Sequence, residues 1–195
     1  MVAADVIGLT GMKVALSPGT ILRLLATIIG LLLMIAKLHR QAAEPVFGWL
    51  LLAAVFVFLA ADEVVSIHER LNRPMRETFD TDGYPLFAWV IPYGTGVAAF
   101  GIVYLPFLAR LPSRTMRLFI VAGATFVTGA IGMKMLGSNI SSELGKGSVR
   151  YLAIMTIEEL LEMFGIAGFI YAASDYLVGR FGPVMIRIDG ADAAH

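Results

Sequence analysis

The chain has 195 residues, of which 58% are hydrophobic and 15% charged, with zero formal net charge and a mean hydropathy of +0.79. Soluble domains carry about 25% charged residues, so this composition argues against one, and zero net charge offers no field for nucleic acid. Cysteine is absent, which excludes disulfides, thiolate metal centres, iron–sulfur clusters and a cysteine nucleophile.

The apolar residues come in long blocks, and the predicted fold is all-α: a polytopic membrane bundle of five transmembrane helices. Crossing hydrocarbon of roughly 30 Å takes about 20 helical residues. Residues 1–17 lack the basic start and cleavage site of a signal peptide, and read as a tail or interfacial segment. The first span, 20–36, closes on Lys37, His39 and Arg40. The second, 46–67, ends in an acidic run that begins at Asp62 and Glu63. The third, 84–109, carries no internal charge, and Pro92 beside Gly94 and Gly96 predicts a kink there. The fourth is 116–136. The fifth, 151–177, is interrupted by Glu158, Glu159 and Glu162. Its uncharged stretch 163–174, with Gly165, Gly168 and Ala172, favours a span over a helix lying on the surface.

The connections are then 38–45, 68–83, 110–114 and 137–150. Residues 18–178 form one transmembrane domain, and 179–195 form a short tail. Five spans put the termini on opposite faces. Lys and Arg divide almost evenly between the two sides, but the compact loops 38–45 and 110–114 are net basic, which favours N-out, C-in.

Charges at membrane depth are expensive and face protein or water. Asp62 precedes Arg70 by eight residues, and Glu158 follows Arg150 by eight, so each lies roughly 12 Å inside its flanking arginine. The second span ends where the fifth begins, so the two acidic groups reach one level. At about 100° per residue, Asp62, Ser66 and Glu69 share one helix face, and Glu158, Glu159 and Glu162 share another. Lys134 and Arg23 belong to the same end and are the expected charge partners.

Asp62, Glu63, Glu69, Glu158, Glu159 and Glu162, with His68 at the edge, are therefore candidate metal ligands. Oxygen donors suit Mg²⁺, Mn²⁺ or Ca²⁺, and an imidazole widens the choice to Fe or Zn, so a divalent ion is the cofactor this set would take. Two alternatives stay open. The charges fix helix packing in a structural or accessory subunit, or the carboxylates relay protons, as in a small coupled transporter. No Glu-x-x-His pair supports a di-iron bundle, no G-x-S-x-G supports a serine hydrolase, and no catalytic residue is assigned. Membrane lipid is the expected partner, with a homo-oligomer or membrane complex beside it and no nucleic acid.

The D-E-x(4)-H-E motif at 62–69 and the E-E-x-x-E motif at 158–162 resemble a group of small uncharacterised bacterial multi-pass membrane proteins. The resemblance implies a bacterial inner-membrane location and brings no activity with it.

Overall fold

A run of apolar helix formers gives α1 (Pro18–Gln41) at the start of the described residues. The computed structural model describes residues 18–67, 70, 90–145 and 147–182. After α1 the chain reverses through Ala43 in the left-handed region at φ 57°. The N–H groups of Ala42 and Glu44 donate to the carbonyls of Leu38 and His39 at 3.1 and 2.9 Å. The second helix, α2 (Phe47–Val65), stops where Ser66 turns left-handed at φ 53° and its N–H closes on the Asp62 carbonyl at 2.7 Å.

α3 (Val90–Leu108) follows. α4 (Ser113–Val127) passes through a π-helical segment, Thr128–Met133, into α5 (Lys134–Leu144). The three form one rod, because the backbone stays right-handed helical at both junctions. α6 (Val149–Phe181) is the longest helix at 33 residues, about 50 Å. It starts at Ser148, whose Oγ accepts the Tyr151 N–H at 3.2 Å.

Every described element is a helix. Among the described residues, three stretches are long and apolar enough to cross a membrane: Gly19–Gln41, Phe47–Val65 and Ser113–Ser141. Pro92–Leu108 is apolar but shorter. α6, 33 residues long, is not among the three. Three of the five expected spans thus have the composition of a membrane helix.

Several boundaries differ from expectation. The fourth rod runs on to Leu144, well into the expected 137–150 connection. α2 ends at Val65, so the common face drawn through Asp62, Ser66 and Glu69 does not continue past the left-handed Ser66. The expected kink at Pro92 falls beside residues 71–89, which lie outside the described ones, and Pro106 is the proline inside the described helix.

Short turns make neighbouring helices antiparallel. α6 packs against α1, α4, the π segment and α5, while α1 also packs on α2. Ile28, Leu32, Ile35, Ile166, Ala172 and Ala173 are fully buried at the α1–α6 core. Trp49 extends it, with edge-on rings from Phe107 and Phe119 at 5.1 and 6.2 Å. Large apolar side chains also face outward: Phe47, Ile102 and Phe164 are 71%, 70% and 66% exposed. An exterior of this kind matches a lipid environment better than water.

The α4–α6 seam is backbone on backbone. A Cβ on Gly165 would stand 2.6–2.8 Å from Cβ, Cα and N of Phe126. On Gly129 it would meet Leu161 Cβ at 2.9 Å and Glu158 O and Glu162 N at 3.0 Å. Gly129→Ala and Gly165→Ala should each cost about 1–3 kcal/mol, because main chain must move. Gly30 has nothing within 4 Å of its Cβ position, so Gly30→Ala should be neutral or stabilising. Thermal unfolding in detergent distinguishes these outcomes. Equal midpoints for all three variants would contradict the close seam.

Candidate functional site

The Gly129 contact brings the π segment against the first half of α6, and Lys134 begins α5 directly after it. Lys134 Nζ lies 3.5 Å from Glu158 Oε1. Glu158 is only 3% exposed, and among the described residues its Oε2 has no hydrogen-bond partner. A buried carboxylate oxygen left unpaired is costly, so such an atom marks a place that takes water, a proton or a cation.

Beside this pair lies a cavity of about 100 Å³. Asp62 and Glu63 border it from α2, Tyr93 from α3, Lys134 from α5 and Glu162 from α6. The Tyr93 hydroxyl donates to Asp62 Oδ1 at 3.1 Å. Ile21, Leu25 and Ile166 close the apolar side. The space is large enough for a few waters, and its polar lining could receive them. Glu162 lies in the field of Lys134, Glu158, Glu63 and Glu159.

Not every expected residue joins. Glu159 is half-buried on the same helix but does not border the cavity. Arg23 is exposed and forms no ion pair among the described residues. His68 and Glu69 lie outside the described residues. Among the described residues, no three His, Asp or Glu side chains are grouped to hold a metal ion.

A second polar group sits at the opposite end and is invisible in the sequence motifs. His39, 6% exposed, stacks against both Trp49 and Tyr176 at 5.7 and 5.8 Å, and those two rings are themselves 4.7 Å apart. Its Nε2 shares a hydrogen bond of 2.9 Å with the Tyr176 hydroxyl. Its Nδ1 lies 2.5 Å from Glu44 Oε2, a charge contact rather than an aligned hydrogen bond. Arg180 donates to Glu44 Oε1. Nearby, Arg114 Nη2 reaches Asp175 Oδ1 at 3.0 Å and donates to the Tyr171 hydroxyl at 3.1 Å. The one hint in the sequence was that His39, Glu44 and Arg180 all fall at helix ends.

The family model described as Domain of unknown function (DUF8692) matches residues 5–176. No curated protein and no solved structure matches the chain.

Two tests follow from the geometry. Lys134→Met strands Glu158 among apolar neighbours and should cost on the order of 3 kcal/mol, while adding Glu158→Leu should restore most of it. A strictly additive cycle in unfolding measurements would show that the two groups do not interact. Desolvation pushes the Glu44 carboxyl up, but the hydrogen bonds and charges of Arg180 and His39 outweigh it and hold the group below the ordinary carboxylate range. A lowered folded-state pKa gives stability that is present above the unfolded value and lost as pH falls through the folded one. The unfolding midpoint should therefore fall on acidification below about pH 4, and Glu44→Gln should flatten that fall. An unchanged acid limb in the variant would contradict the assignment.

Proposed function

The chain belongs to the DUF8692 family, and we propose that it is a multi-pass membrane protein whose buried carboxylates form a proton-binding site, the centre of a relay or small proton-coupled transporter. The observation that carries this reading is Glu158, almost fully buried with one oxygen toward Lys134 and the other unpaired. Asp62, Glu63 and Glu162 border the adjoining cavity, so several carboxylates share a low-dielectric site with one ammonium. Such a group cannot be fully ionised, and protons make up the difference. A divalent ion in the cavity would have to sit against the Lys134 ammonium, which favours the proton over the cation reading.

α6 completes the bundle as a spanning helix in this proposal. Glu162 borders the cavity and Glu158 meets Lys134, while Phe164 and Tyr171 turn outward. The end that carries Lys37, Arg40, Arg110, Arg114 and Arg180 lies in the cytoplasm of a bacterial cell, which sets the N-terminus outside. A second reading, an accessory subunit whose charges lock helix register, draws on the Gly129 and Gly165 seam beside the ion pair.

Difference infrared spectra of the reconstituted protein, recorded against pH in H₂O and D₂O, test the proposal. The parent should show a carboxyl C=O band that titrates, and Glu162→Gln or Glu158→Gln should remove part of it. A spectrum with no titrating carboxyl band would leave the accessory reading. An unfolding midpoint raised by Mg²⁺, Mn²⁺, Ca²⁺ or Zn²⁺ and reversed by chelator would replace the proton with a cation.

A further inference from the structure

We propose that the cleft between the end of α1 and the start of α2 binds the headgroup of an anionic phospholipid, with Lys37 and Arg40 on its phosphate. This rests on the reading of the chain as a membrane protein. The cleft has a volume of about 440 Å³ and lies at the basic end of the bundle, away from the carboxylate cavity. Lys37 and Arg40 stand three residues apart on one helix face and line it. Both are exposed, and neither forms an ion pair among the described residues.

The acid at the rim does not cancel them. Glu44 lines the cleft, but its two oxygens are directed at Arg180 and His39. The cleft therefore presents two uncommitted cations. They sit in the last turns of α1, where the helix dipole favours positive charge without any acid nearby.

The floor points to a lipid rather than a soluble phosphate. Leu33 lies one turn below Lys37, and Leu50 lies one turn into α2. They are 48% and 44% exposed and continue the cleft along the outer face of two helices apolar enough to span a membrane. A phosphate held at Lys37 and Arg40 would have its acyl chains running over these leucines. Basic pockets between spanning helices at the cytoplasmic face bind acidic headgroups in this way.

The test uses the full chain in mild detergent and native mass spectrometry. It is titrated with phosphatidylglycerol, with phosphatidylcholine of the same acyl chains, and with inorganic phosphate. Phosphatidylglycerol should bind in preference to phosphatidylcholine. The double variant K37Q/R40Q should lose roughly thirtyfold in affinity, two charges' worth of attraction. Arg110→Gln, an exposed arginine at the same end outside the cleft, should keep the preference and control for general charge. Equal binding of the two lipids would overturn the proposal. So would an unchanged K37Q/R40Q, or phosphate binding without lipid binding. Alkaline carbonate extraction of native membranes separates the two readings. Release of the chain refutes the membrane assignment. Retention without a headgroup preference refutes the lipid site alone.

Discussion

A carboxylate held among apolar side chains must have a partner within a few ångströms, and at the acidic end of this bundle Lys134 supplies it to Glu158. Much of the surrounding architecture follows from that need. Lys134 reaches α6 because the π segment before it lies against α6 through Gly129, a contact with no room for a Cβ. Gly165 and Phe126 extend the same seam one turn further along α4. The pair and the seam fix how deep α6 lies, and that depth decides which of its residues meet the cavity. π turns are uncommon and recur at functional sites, and here one delivers a cation to a carboxylate.

The two ends of the bundle are chemically different. One gathers Asp62, Glu63, Glu158 and Glu162 with a single ammonium and a small cavity. The other gathers the arginines, with its own acids, Glu44 and Asp175, taken up in ion pairs with Arg180 and Arg114. His39 stitches that second end together, stacked against Trp49 and Tyr176 and joined to Glu44. In our proposals, proton exchange belongs to the first end and lipid anchoring to the second. Between them lies an apolar core in which Ile28, Leu32, Ile35 and Ile166 are fully buried.

The sequence made some of this legible. Apolar blocks located α1, α2 and the fourth rod, because burial and lipid both demand uninterrupted hydrophobic helix. Counting residues from flanking arginines put Asp62 and Glu158 at one level, and distance along a helix is the one coordinate that sequence reports faithfully. Other features were not legible. Ser66 ends α2 by a left-handed turn that no residue type there announces, and Glu69 lies outside the described residues. Leu136 to Leu144 is polar enough to read as a loop, yet it stays helical against α6. The His39–Tyr176 and Glu44–Arg180 contacts join residues 137 and 136 positions apart, and only packing brings them together. Arg23, the other expected charge partner, is exposed on α1.

The central claim is that α6, acids included, crosses the membrane. The chain has no cysteine of its own, so single cysteines can be placed along 154–178 without removing any. Labelling intact spheroplasts and inverted vesicles with a membrane-impermeant maleimide measures which positions meet water, and from which side. The account predicts that positions near 163–174 resist labelling from either side, while sites before them label only from outside and sites beyond them only from within. A stripe of labelling every three to four residues along the whole helix, all from one face, would show α6 lying on the surface and contradict the account.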